Sequence, residues 1–413
     1  MTVLDTEKKI AACEVPSVNK VAVAYSGGLD SSLAIELLRR VYKAKEIVPI
    51  TIDVGQGDEE LDAGNRKAEK LGIKPIIIDA KEEFSKDWLT KAIRANSDYN
   101  GYPVSTSMTR QLVARIVALE ARQRGCDAVL EGSTGKGNDQ YRMHNVFKFF
   151  APELKVLVPV RDFDLTRSQE EELCRHWGVP VTETITGGDD KTLWCRSIAS
   201  GAIDLDQVIP DEIWMWYVPP AKAQDKAESV TIEFVEGLPV KLDSKQLPLD
   251  DLICELNTIA GRNGIGFIDM FEDGIMSLKS REIYEAPAAH VILKLHRDLE
   301  AQCLTKEEIH FKKVVDSRWA FMTYHGEWYH PLKNALDAFV LATQSVVNGQ
   351  ITVSLYKGNI TITKRVSTSS LFSREIRSIK ATGFDQRWCA NAAKVRGLPF
   401  EILAKRAEAM KKK

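Results

Sequence analysis

The stretch Ala24-Tyr25-Ser26-Gly27-Gly28-Leu29-Asp30-Ser31-Ser32 concentrates residue types that hold phosphate. Two adjacent glycines let an anion reach backbone N–H groups with no Cβ in between. Ser26, Ser31 and Ser32 add hydroxyl donors. Residues 18–24 form an apolar run that reads as a buried strand, and Leu33, Ile35, Leu37 and Leu38 then follow a helical pattern. Strand, tight turn and helix N-terminus therefore succeed one another. The turn's N–H groups and the helix dipole converge on one anion-sized volume. The bland alternative is a βα turn with Ser and Asp as caps. The chain has no Gly-x4-Gly-Lys-Ser/Thr loop, and the third glycine of a dinucleotide fingerprint is missing.

A second dense stretch is Gly132-Ser133-Thr134-Gly135-Lys136-Gly137-Asn138-Asp139-Gln140-Tyr141-Arg142. Thr134, Asn138, Asp139 and Arg142 mix donors, acceptors and both charge signs. That mixture suits a zwitterionic amino acid, whose ammonium needs acceptors and whose carboxylate needs donors. A surface loop with three glycines is the plainer reading.

These stretches need a scaffold. Strand patterns at residues 18–24, 46–53, 74–79, 127–131 and 155–160 alternate with helical ones at 61–71, 84–96, 108–124 and 169–177. Five apolar strands separated by helices predict an α/β fold with a doubly wound parallel sheet, whose ligands gather at the strands' carboxyl ends. From about residue 186 the texture changes. Residues 187–190 read as a loop, 231–242 and 350–364 as hairpins, and 249–259, 288–304 and 332–347 as helices, which predicts an α+β second domain. The resulting division is a flexible extension at 1–17, a nucleotide-binding domain at 18–185, a second domain at 186–375 and a helical tail at 376–413. The basic tail reads equally as a solvated helix or as a surface for another subunit.

Composition narrows the class. The chain has 413 residues, 44% hydrophobic and 28% charged, with net charge −2, which suits a soluble globular protein. That balance argues against a broad nucleic-acid or membrane footprint. No apolar stretch reaches membrane-spanning length, and no secretory signal is visible. Seven scattered cysteines, without Cys-x-x-Cys or a Cys/His cluster, fit a reducing cytoplasm and no zinc site.

The string Ser-Gly-Gly-Leu-Asp-Ser-Ser resembles the PP-loop of the ATP pyrophosphatases, which cleave ATP between the α and β phosphates. A narrower resemblance covers nearly the whole chain. AYSGGLDSS, DVGQG, YPVSTSMTR, GSTGKGNDQYR, TLWCRS, KSREIYEAP and LYKGN match stretches of the argininosuccinate synthase family, in that family's order. The family belongs to arginine biosynthesis and the urea cycle. The resemblance implies that Ala24, Tyr25, Ser26, Gly27, Gly28, Leu29, Asp30, Ser31 and Ser32, with Ile52 and Gly132, hold ATP. It implies that Thr134, Asn138 and Asp139 hold aspartate, and that Tyr102, Ser107, Asn138, Arg142, Ser197, Glu272 and Tyr284 hold citrulline. Asp30, Asp139 and Arg142 are the candidate catalytic residues.

Residue type alone leaves other readings open. Tyr102 and Tyr284 could pack, Ser107 could cap a helix beginning at Met108, and Glu272 and Asp273 could belong to a turn beside Gly274. Lys136 could be a solvated loop charge. Three positions depart from the family's pattern: Glu131 stands where His is usual, Gly188 where Ser is usual and Asp273 where Asn is usual. Gly188 removes a hydroxyl from the citrulline side, and Glu131 adds negative charge beside the nucleotide.

The implied reaction is ATP + citrulline + aspartate → argininosuccinate + AMP + diphosphate. The ureido oxygen attacks the α-phosphate and becomes a leaving group, and the aspartate amine then displaces AMP. Mg2+ would bridge phosphate oxygens, with Asp30 at most an indirect ligand and no protein-held metal site. The family is typically homotetrameric. Two rivals are an adenylating PP-loop enzyme with a related acceptor and a non-catalytic ATP or amino-acid binding protein.

Overall fold

The five apolar runs of the first half pair as one parallel sheet in a computed structural model that describes residues 2–182, 186–380 and 382–411. In chain order the strands are β1 (Lys20–Ala24), β2 (Glu46–Asp53), β3 (Ile76–Asp79), β4 (Ala128–Leu130), β5 (Lys155–Leu157), β6 (Thr186–Lys191) and β7 (Arg196–Gly201). They continue with β8 (Glu228–Val235), β9 (Leu238–Leu242), β10 (Lys245–Gln246), β11 (Phe267–Glu272), β12 (Ser280–Glu285), β13 (Gly349–Tyr356) and β14 (Asn359–Val366). The parallel sheet has the order β3-β2-β1-β4-β5. Both faces are covered. Val21, Val23 and Leu130 pack in one core, while Ala22, Val129, Met143 and Val146 pack in the other.

The chain builds outward from β1 in one direction, then returns to lay β4 on its other side. The topological switch point therefore lies between β1 and β4, where open α/β sheets bind ligands. The residues just past these two strands are Tyr25–Gly28 and Glu131–Gly132, so both chemistry-bearing stretches leave from the switch point.

The second half is α+β as expected. One antiparallel sheet runs β10-β9-β8-β13-β14, and a smaller one runs β11-β12-β7-β6. The expected hairpins are β8–β9 and β13–β14. The smaller sheet aligns Tyr284 on β12 with Ser197 on β7, and Ser197 with Asp190 on β6.

Several expectations change. Residues 1–17 are not all irregular: Val3–Ala11 is a helix, started by a capping box between Thr2 and Asp5 and tied down by buried Ile10. Residues 187–190 are not a loop but part of β6, made by the backbone ladder to β7 rather than by apolar side chains. The second dense stretch turns helical at Asp139–Phe150. The helix Lys306–Tyr324 was not expected, although Thr305 and Glu308 form a capping box at its start. Residues 183–185, 381, 412 and 413, which the expected domain boundary and tail include, lie outside the described residues.

Two compact units result, residues 1–369 and 370–413. In the second, the helix Trp388–Lys411 carries exposed Trp388, Phe400 and Ile402. Among the described residues no helix is long and apolar enough to cross a membrane.

Candidate functional site

Gly27 and Gly28 shape the first loop. Gly27 has φ +74°, and a Cβ there would lie 2.5 Å from the Gly64 Cα. Glycine is therefore required both by conformation and by close backbone approach. Gly28 is the N-cap of the helix Leu29–Arg40 and brings no side-chain cap of its own. The Ser26 hydroxyl instead accepts from the Gly28 N–H at 3.2 Å and lies 3.2 Å from the Ser31 hydroxyl. Lys67 donates to the Gly27 carbonyl at 2.9 Å, which places a cation beside the loop. Burial pulls that ammonium's pKa down from the usual lysine range.

Gly132, after β4, closes on the same loop. A Cβ there would lie 3.2 Å from the Ser31 nitrogen and 3.3 Å from the Asp30 Cβ. Asp30 is paired with Arg167 at 2.7 Å. Behind it, burial first and the Asp30 charge second push Glu170 up to about 9.

A cavity of about 470 Å³ opens at these strand ends. Its wall includes Ala24, Tyr25, Ser26, Gly28, Leu29, Asp30, Ser31, Ile52, Gly132, Thr134 and Asp139 from the expected set. Gly27 lies within the same turn, whereas Ser32 is fully buried and is not part of the cavity wall. The volume is in the range of small-molecule sites.

Asp139 stands in the first turn of its helix, between two guanidinium groups. Arg110 Nε donates to Asp139 Oδ2 at 2.8 Å, and Arg142 donates to Oδ1 at 2.8 Å. Burial alone would raise this carboxyl's pKa, but the two arginines outweigh it and hold it below the usual range. Arg110 also pairs with Asp190 on β6, so helix and strand are pinned across the cavity. These charge-assisted bonds fix the side chains before any ligand arrives.

Next to Asp139 lies a buried tyrosine network. Glu272 is 3% exposed, and its two carboxylate oxygens accept from the Tyr284 and Tyr324 hydroxyls. Burial pushes both phenol pKa values up, so they remain protonated donors at neutral pH. Tyr324 also accepts from Asn138 Nδ2 at 3.1 Å, and its carbonyl accepts from Arg142 Nε at 2.8 Å. Asn138 Oδ1 accepts the Ile275 N–H at 2.8 Å. Tyr102 stacks on Tyr284 with ring centres 4.1 Å apart, and its hydroxyl accepts the N–H groups of Ser105 and Thr106. Tyr102, Asn138, Arg142, Glu272 and Tyr284 are thus brought together, with Ser197 beside Tyr284 in the sheet register.

Ser107 is not a helix cap. The helix Thr106–Gln123 starts after Ser105, and the Ser107 hydroxyl is buried without a hydrogen-bond partner among the described residues. An unpaired buried hydroxyl costs free energy unless something occupies it. Glu272 is the last residue of β11 rather than part of a turn, while Asp273 follows it and pairs with Lys279. Sequence reasoning missed Arg110, Tyr324 and Lys67. Arg110 closes the quoted YPVSTSMTR string and could have been found there. Tyr324 has no local signal, because its role depends on a helix far along the chain.

Among the described residues no group of three or more His, Cys, Asp or Glu could hold a metal ion, and Asp30 is committed to Arg167.

At the three departures, Glu131 is buried at 1% exposure and Gly188 is open. A Cβ on Gly188 would meet the Ala199 Cβ at 3.7 Å, an ordinary contact. Asp273 faces its lysine partner.

Two family models match the chain: "Arginosuccinate synthase N-terminal HUP domain" over residues 20–180 and "Arginosuccinate synthase C-terminal domain" over residues 188–403. Similar curated proteins are argininosuccinate synthases. That of Methanococcus maripaludis is 42% identical over 388 residues, 93% of this chain and 98% of the other. That of Methanopyrus kandleri is 41% identical over 393 residues, 94% of this chain and 100% of the other. That of Pyrococcus furiosus is 42% identical over 372 residues, 89% and 90% of the two chains.

Proposed function

The chain belongs to the argininosuccinate synthase family, and from that premise we propose how its residues join citrulline to aspartate as ATP is split to AMP and diphosphate. It is an ATP-dependent ligase of arginine biosynthesis. The observation that carries the proposal is the shared cavity. The Ser26–Ser31 loop, Gly132, Thr134 and Asp139 all line it.

A ureido carbon is a poor electrophile and its oxygen a poor leaving group. Attack of that oxygen on the α-phosphorus makes it a phosphate ester oxygen and releases diphosphate. The loop N–H groups, the Ser26 and Ser31 hydroxyls and Lys67 receive the charge that develops on the departing diphosphate. Arg142 and Ser197 take the citrulline carboxylate, and Glu272 takes its ammonium. Each Glu272 oxygen accepts one phenol and keeps a second lone pair for that ammonium. Thr134, Asn138 and Asp139 hold aspartate, with Arg110 fixing Asp139. The aspartate amine then attacks the activated carbon, and AMP leaves. Most of the acceleration in this scheme is positioning.

In this reading residues 18–185 bind nucleotide, 186–375 supply Ser197, Glu272 and Tyr284, and the tail at 376–413 joins subunits of a cytoplasmic homotetramer. The test is incubation of purified protein with ATP, citrulline and aspartate. AMP, diphosphate and argininosuccinate are expected in equal amounts, each dependent on all three substrates. Folded protein that forms no argininosuccinate contradicts the proposal.

A further inference from the structure

The mechanism above lacks a group to take the proton that aspartate's ammonium must lose before it can attack. Glu131 follows β4 at the switch point and lines the same cavity as Thr134 and Asp139. One of its oxygens, Oε2, accepts the Ser133 N–H at 2.7 Å. The other, Oε1, is buried and has no partner among the described residues. A buried carboxyl oxygen left bare is costly unless a ligand uses it.

Side-chain alternation fixes which side it serves. Leu130 packs in the core under the nucleotide-loop helix, whereas Val129 packs in the other core with Met143 and Val146. Glu131 shares the face of Val129. That is the face covered by the helices Thr106–Gln123 and Asp139–Phe150, which carry Arg110 and Asp139. Gly132, one residue on, turns back onto Ser31 and Asp30. Glu131 therefore stands between the phosphate loop and the amino-acid half of the cavity.

Resting on the proposed reaction, we infer that the Glu131 carboxylate is the general base that deprotonates the aspartate ammonium. In that step one N–H proton passes to a Glu131 oxygen. The freed amine forms the C–N bond to the activated ureido carbon. The C–O bond to the phosphate then breaks, and AMP departs with that electron pair. The charged groups around Glu131 are Asp139, which raises its proton affinity, and Arg161, which lowers it. Arg110 neutralises Asp139 from the neighbouring helix, and Asp30 is paired with Arg167 across Gly132. Burial is the main influence and pushes the Glu131 carboxyl up to about 7, where a base is effective near neutral pH.

The two half-reactions separate this role from others. Incorporation of labelled diphosphate into ATP, with citrulline and without aspartate, reports the first step alone. Glu131→Gln is expected to keep that exchange within about threefold while argininosuccinate formation falls about 100-fold or more, the usual weight of a general base. The ascending limb of the wild-type pH–rate profile near pH 7 is expected to vanish. In Glu131→Ala, added formate is expected to restore part of the second step, which a structural role does not allow. Overall turnover within about fivefold of wild type overturns the inference, as does an equal loss in both half-reactions, which makes Glu131 a nucleotide contact. Wild-type protein that forms no argininosuccinate fails the functional reading itself.

Discussion

Replacing Glu272 by Gln removes one charge and almost no volume. In the wild-type site the carboxylate accepts from Tyr284 and Tyr324. The Tyr324 hydroxyl also accepts from Asn138 Nδ2, so its single proton is committed to Glu272. The glutamine oxygen must therefore face Tyr324, and its NH2 must face Tyr284, whose hydroxyl becomes the acceptor. The network survives as neutral bonds. A bond to a charged group is worth about 1.5–3 kcal/mol against about 0.5–1.5 for a neutral one, so two bonds lose about 2 kcal/mol of stability. The larger effect falls on the ligand. A citrulline ammonium loses its anionic acceptor, which at about 1.5–3 kcal/mol corresponds to a 10- to 150-fold rise in citrulline KM. The assay is diphosphate release against citrulline concentration at saturating ATP and aspartate. The ATP KM should stay within about twofold, since Glu272 is absent from the cavity wall that contains the phosphate loop. A folded variant whose citrulline KM is unchanged, or whose ATP KM rises as much, refutes the assignment of Glu272 to the citrulline side.

Gly27→Ala forces a Cβ to 2.5 Å from the Gly64 Cα at φ +74°. It should cost about 2–5 kcal/mol, from left-handed strain and overpacking together, and raise the ATP KM; urea unfolding and ATP titration check both effects. Gly188→Ser fits the open space beside Ala199. If its hydroxyl reaches citrulline, one neutral hydrogen bond lowers the citrulline KM by about 2- to 13-fold, whereas an increase shows that the residue there hinders the acceptor. For stability, the folded-state pKa of Glu131, about 7, lies above the ordinary glutamate value of 4.5. The native protein thus binds this proton more tightly than the unfolded chain, so its stability falls as pH rises from about 4.5 to 7 and then levels off. Glu131→Gln should remove that slope and gain roughly 3 kcal/mol at pH 8, measured by urea unfolding at pH 5 and 8; equal midpoint shifts at both pH values contradict it.

The parallel sheet was legible because its inner strands β1, β2 and β4 are largely buried and all five strands read as apolar runs. The phosphate loop was legible because Gly27 and Gly28 sit where a strand turns into a helix. β6 was not, since Thr186–Lys191 owes its strand form to hydrogen bonds with β7, and its polar side chains line the cavity. The helix Lys306–Tyr324 was hidden because its buried residues, among them Lys312, Trp319 and Thr323, do not form a simple apolar stripe. Tyr324 was hidden with it. Its bonds to Glu272, Asn138 and Arg142 come from residues 52 to 186 positions away. Motif matching located Asn138, Arg142, Glu272 and Tyr284, but only the folded chain reveals that one tyrosine links three of them, Glu272 and Asn138 through its hydroxyl and Arg142 through its carbonyl.

The central claim is that the ureido oxygen of citrulline is transferred to the α-phosphate of ATP. Citrulline carrying heavy oxygen in its ureido group tests it directly, with the released AMP analysed by mass spectrometry after a single turnover. One labelled oxygen is expected in the AMP formed together with argininosuccinate. Unlabelled AMP, or label released as water, contradicts it.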